Sequence, residues 1–195
     1  MREFIDRSLV AAVILIMAIV VLGTCSKAHA QSIGLEVKTS AAGSSQLGNI
    51  YAEALNKKGN TGLFFWGLGD SGGFAELYAG PTWYPTKWFE VQFGAGVENS
   101  PGFWRVGGGA YLIDHHGNGL ILWENGASGY WYKATYSYPV YHKVSVGVFS
   151  RRFAGTGPLV EVRASKSYMV WATAGPDLQD GNRLKAVIGL SITAK

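Results

Sequence analysis

The sequence predicts an all-β fold: an antiparallel up-and-down transmembrane β-barrel of about 12 strands, with ten as the next count and eight as a third. Three observations carry the prediction. From Gly62 onward, runs of roughly ten residues alternate apolar and polar side chains, the period-2 signature of strands with two different faces. The breaks between runs fall into two alternating sets, as a meander demands when successive turns lie at opposite ends. Charge keeps to one face of each run, while tryptophan and tyrosine gather near the run ends, as in the aromatic girdles of a barrel in lipid.

Residues 1–30 read as a cleaved export signal and residues 31–195 as one barrel domain. Arg2 and Arg7 flank a wholly apolar run from Leu9 to Leu22, and Ala28-His29-Ala30 forms an A-x-A cleavage site. The run is shorter than the roughly 20 residues that a membrane-spanning helix needs. Leu22-Gly23-Thr24-Cys25 faintly resembles a lipobox, which would leave Cys25 lipidated, but threonine fits poorly before that cysteine. Cleavage after Ala30 removes the single cysteine and with it disulfides, thiolate catalysis and cysteine-ligated metals. Removing Arg2, Arg7 and Lys27 from 17 bases, and Glu3 and Asp6 from 13 acids, leaves 14 against 11. That surplus is too small to point to nucleic acid.

Taken in order, Ile33, Leu35 and Val37 alternate with Gly34, Glu36 and Lys38 and suggest a first strand. A polar Ser/Gly/Gln segment follows from Ser40 to Gly48, and Asn49 to Leu55 reads as a strand or short helix. Strands are then expected near 62–69, 74–84, 87–98, 103–113, 119–125, 129–138, 140–152, 158–165, 168–175 and 184–193. One set of breaks holds Pro85-Thr86, Asp114 to Asn118, Pro139 and Lys166-Ser167. The other holds Asp70 to Gly73, Asn99 to Gly102, Gly126 to Ser128, Ala154 to Gly157 and Pro176 to Arg183.

Parity assigns the faces. Phe89, Val91, Phe93, Ala95 and Val97 oppose Glu90, Gln92, Gly94, Gly96 and Glu98; Val144, Val146 and Val148 oppose Lys143, Ser145, Gly147 and Arg151. A soluble barrel turns its apolar face inward, and a barrel in lipid does the reverse. The second arrangement makes Glu76, Glu90, Gln92, Glu98, Arg105, Glu124, Lys133, Lys143, Arg151, Glu161, Arg163 and Lys185 the expected lumen-facing residues. Their signs nearly cancel, so they can pair and avoid the cost of isolated buried ions. Trp83, Tyr84, Trp88, Trp104 and Trp131 are the expected interface aromatics.

Together the signal, the meander, the girdles and the inverted parity resemble the small outer-membrane β-barrel and porin-like proteins of Gram-negative bacteria. The residues carrying the likeness are Ala79-Gly80-Pro81-Thr82-Trp83-Tyr84-Pro85, Trp88-Phe89-Glu90-Val91, Gly129-Tyr130-Trp131-Tyr132-Lys133 and Ala186-Val187-Ile188-Gly189-Leu190-Ser191-Ile192. The resemblance implies an outer-membrane location, membrane lipid as partner, small solutes as cargo, and no cofactor. It departs at Ile192-Thr193-Ala194-Lys195, where such proteins usually end in an aromatic residue.

Chemistry-bearing motifs are sparse. His115-His116 beside Asp114 offers metal-ligand types, but adjacent histidines in a strand point apart and no further ligand is close in sequence. His142, Ser145 and Glu161 invite comparison with outer-membrane lipid A deacylases; here the histidine and serine stand three apart and face opposite ways, against a nucleophile–base pair. Gly107-Gly108-Gly109 has no helix after it and makes no phosphate cradle. The expectation is a non-enzymatic barrel, either a narrow pore or a structural barrel with a charge-paired lumen. The alternatives are a soluble periplasmic barrel binding a small apolar ligand inside and a lipid-modifying enzyme.

Overall fold

The computed structural model describes residues 30–41, 43–113 and 116–194. Of the expected export signal only Ala30 is among them, as the first residue of a strand; Cys25 lies outside. Twelve strands follow in order: β1 (Ala30–Ser40), β2 (Gly43–Leu55), β3 (Thr61–Asp70), β4 (Ala75–Thr86), β5 (Phe89–Glu98), β6 (Trp104–Ile113), β7 (Asn118–Gly126), β8 (Gly129–Tyr141), β9 (Val144–Arg151), β10 (Gly155–Arg163), β11 (Tyr168–Asp177) and β12 (Arg183–Ala194). Each pairs antiparallel with its neighbours in sequence, and β1 closes on β12 from Gln31↔Ala194 to Ser40↔Lys185. Closure leaves no free strand edge, so the backbone groups of every strand find partners in the same sheet.

Several boundaries differ from the sequence expectation: β4 runs through Pro85-Thr86, β10 starts at Gly155 and β11 includes Pro176, and two further differences are larger. The polar segment from Ser40 to Gly48, given no strand from the sequence, is mostly strand: β2 starts at Gly43 and pairs with β1 from its first residue. Small polar side chains such as Ser44 and Ser45 give no parity signal, while the ladder needs only backbone. Pro139 does not end its strand either. The chain turns at His142 and Lys143, where His142 takes a left-handed φ of 35°, and Pro139 sits beside a register shift between β8 and β9. A proline without an N–H is tolerated in a sheet at such an irregularity.

The polarity of the barrel is inverted relative to a soluble protein. Large apolar side chains on the outer face are open, including Phe93 (66% exposed), Ile121 (64%) and Ile188 (61%), whereas Glu98 and Glu124 are 2% and 0% exposed. A soluble barrel holding an apolar ligand would show the opposite.

The inside also carries two apolar clusters. Phe64, Trp66, Leu68 and Tyr78 pack on one side; Phe149, Ala154, Leu159, Trp171 and Val187 pack on the other. Inward glycines make room for these rings. A Cβ on Gly94 would stand 2.8 Å from the Phe64 ring and 2.9 Å from that of Tyr78, and one on Gly189 would run into the Trp171 indole. The space left between the clusters is where charged side chains gather.

Candidate functional site in the barrel lumen

Residues paired across an antiparallel ladder share a face, so each inward residue fixes the direction of its partner. On β4 to β7 the inward charges converge on Arg105. Its guanidinium forms ion pairs with Glu76, with Glu98 at 2.6 Å and with Glu124 at 2.7 Å, all with buried side chains. The Tyr78 hydroxyl donates to Glu124 at 2.7 Å, and Ser128 donates to Glu98 from its backbone N–H at 2.5 Å and from its hydroxyl at 2.8 Å. One cation and several neutral donors thus hold three carboxylates out of water.

A second acidic group sits toward the end of the barrel that holds the chain termini. Tyr84 donates its hydroxyl to Glu53 at 2.8 Å. Glu90 accepts from the Thr82 hydroxyl at 2.9 Å and from the Gln92 amide, which also donates to the Tyr51 hydroxyl at 2.6 Å.

The facing wall, built from β8, β9 and β1, has the reverse balance. Glu36 of β1 meets Arg151 of β9 in a close ion pair and Lys133 of β8 at 3.6 Å. Lys133 stands over the rings of Trp171 (5.4 Å) and Phe149 (5.9 Å), and Arg151 over Phe149 (5.5 Å), where a cation is drawn to the ring face. Near the opposite end from the termini, Lys185 pairs with Asp177 at 2.6 Å and with Asp180 at 3.0 Å.

Of the expected lumen residues, Glu76, Glu90, Gln92, Glu98, Arg105, Glu124, Arg151 and Lys185 are buried, and Lys133 and Glu161 are half-buried. Two are exposed. Lys143 lies in the β8–β9 turn, exposed, its ammonium 3.4 Å from the Ala164 carbonyl, because the strand ends later than its proline suggests. Arg163, the last residue of β10, is exposed at the mouth near the termini.

Among the aromatics, Trp83, Trp88 and Trp104 are exposed near strand ends. Tyr84 and Trp131 are corrections. Tyr84 reaches inward to Glu53, and Trp131 is the ladder partner of the fully buried Glu124, so its indole faces the lumen. Sequence reasoning passed over Glu36, Glu53, Tyr51, Tyr78 and Asp177 as interior polar residues; the alternation of Glu36 with Leu35 and Val37 was the signal available for the first.

Three cavities run through the lumen between the walls. One of about 240 Å³ opens at the end opposite the termini and shares Leu47, Leu68, Trp131 and Arg151 with a central one of about 190 Å³. The central cavity shares Tyr111 and Leu120 with a third, of about 530 Å³, at the mouth near the termini.

The other candidate chemistry does not assemble. His142 is exposed in its turn against the Tyr141 ring (4.4 Å), Ser145 faces Glu161 across the β9–β10 ladder, and no hydrogen bond joins the three among the described residues. Asp114 and His115 lie outside the described residues, and within these no group of three or more metal-ligating side chains occurs.

No protein-family model matches the chain, and no curated protein matches it. Solved structures do. A KdgM porin aligns with a TM-score of 0.58 at 10% identity, over 84% of this chain and 99% of that one. A KdgM porin in complex with disordered oligogalacturonate gives 0.56 at 10% identity with the same coverage, and a NanC porin 0.50 at 9%, over 83% and 98%. Identity this low speaks for the fold alone: the chain folds as a closed, porin-like β-barrel of 12 antiparallel strands.

Proposed function

We propose that this barrel sits in the outer membrane, without enzymatic activity, as a narrow pore for small solutes that favours anions. The observation that carries the reading is the run of three cavities from one mouth to the other, each sharing side chains with the next. Lys38, Lys133, Arg151, Arg152, Arg163 and Lys166 line it against Glu36, Asp70 and Glu161, while Glu76 is already held by Arg105. An excess of one sign along low-dielectric walls raises the local concentration of the opposite ion. The sealed carboxylates on the far wall are spent on Arg105, Tyr78, Tyr84 and Ser128 and contribute less to the path.

The open apolar outer face and the exposed Trp83, Trp88 and Trp104 support a barrel surrounded by lipid. Strands of 8 to 13 residues match the roughly 9–11 needed to cross a bilayer when tilted. The bound oligogalacturonate of the KdgM porin, an acidic oligosaccharide, is in keeping with a path lined by cations. A structural barrel with a filled lumen is the rival reading, favoured by the two apolar clusters that narrow the interior.

Liposome swelling separates them. Proteoliposomes should swell in small anionic solutes faster than in neutral solutes of equal size, and protein-free rates in both would leave the filled barrel. Extraction from membranes into plain buffer, without detergent, would contradict the membrane location.

A further inference from the structure

We infer that the mouth opposite the chain termini is a binding site for a single-ring aromatic carboxylate, a deepening of the pore reading that names a ligand class for one end of the path. The cavity there holds about 240 Å³, just below the roughly 300–1,000 Å³ of sites for drug-sized ligands. It accommodates one ring and its acid group.

Two cations in it are arranged to receive an anion. Lys38, half-buried on β1, makes no hydrogen bond or ion pair among the described residues. Arg152 is fixed in place: its guanidinium lies 3.8 Å from the centre of the Tyr130 ring and 4.4 Å from that of Phe153. Its Nε donates to Gln179 at 2.8 Å and its Nη1 to the Tyr130 carbonyl, while the Gln179 amide donates to the Tyr130 hydroxyl at 2.9 Å. Nη2 keeps no hydrogen-bond partner among the described residues. A guanidinium held in this way loses little side-chain freedom when it takes up a carboxylate.

The carboxylates in the same cavity have partners of their own. Asp70 accepts from the backbone N–H groups of Gly72 (2.8 Å) and Phe74 (3.1 Å), and Glu76 is paired with Arg105. The floor supplies the ring contact. Trp131 is half-buried and lines both this cavity and the central one, an indole on which a flat ring can stack. A charge-assisted contact and an aromatic platform side by side select for a solute that carries both a carboxylate and a flat ring.

Isothermal titration of the full barrel in detergent micelles tests this with benzoate, acetate and benzyl alcohol. Benzoate should bind about tenfold or more tightly than either of the others, about 1.4 kcal/mol, since acetate lacks the ring and benzyl alcohol the carboxylate. Lys38→Gln, at the half-exposed rim, should weaken benzoate severalfold toward the level of benzyl alcohol, Arg152 keeping the remainder; Trp131→Leu should bring it down to the level of acetate. Equal binding of benzoate and acetate, or an unchanged benzoate affinity in Lys38→Gln, would overturn the inference. Binding in micelles needs no conduction, so benzoate binding without solute flux removes the pore and keeps this site. Flux without benzoate preference does the reverse.

Discussion

The two charged walls of the lumen solve the same problem in opposite ways. Around Arg105, three carboxylates share one guanidinium and are completed by Tyr78 and Ser128, with every charged side chain at 3% exposure or less. Around Glu36, two cations share one carboxylate; Lys133 keeps 20% exposure and the group borders the central cavity. Burying ions costs several kcal/mol each unless partners replace their water. The first wall therefore acts as a rigid strut that ties β4 to β7 together. The second leaves positive charge facing the central cavity.

This contrast can be broken at graded cost. Arg105→Met should have the largest effect, about 3–5 kcal/mol lost from the unfolding free energy in lipid or detergent, because three buried carboxylates lose their cation. Adding Glu98→Gln and Glu124→Gln to that variant should recover a good part of the loss, and a triple variant as unstable as the single one would mean that the ring packing of Arg105 on Phe74, at 5.7 Å, matters more than its charge. Glu36→Gln should cost less, about 1–3 kcal/mol, since the two cations it frees can turn to cavity water. Its distinctive readout is a rise in anion preference. Lys133→Gln should cost about 1 kcal/mol or less, as expected of a partly exposed partner at 3.6 Å, while reducing anion preference. Equal destabilisation by Arg105→Met and Lys133→Gln in a denaturant titration would erase the distinction between the walls.

Much of the barrel is legible in the sequence because alternation is a local property. The opposition of Phe93 and Val97 to Gln92 and Glu98 gives both faces of β5 from ten residues. What escapes is the content of the lumen. Phe149 shares parity with Arg151, and Trp171 is the ladder partner of Gly189, yet both are apolar and were not expected inside. A lumen narrow enough to need packing overrides the simple rule of apolar outside and polar inside. Tyr84 and Trp131 show a related limit: a ring near a strand end reveals height along the barrel but not which way it points, and for Trp131 the parity shared with Lys133 decides. The Glu36–Arg151 pair joins residues 115 apart in sequence, strands that meet only across a closed barrel. No local pattern foretells it.

On the pore reading, cations rather than the sealed carboxylates face the path. The most direct measurement is the reversal potential of the purified barrel in a planar bilayer under a potassium chloride gradient. Measurable conductance with chloride favoured over potassium is expected, with a shift toward potassium in Lys133→Gln. A cation-selective current, or selectivity unmoved by that substitution, would contradict that reading.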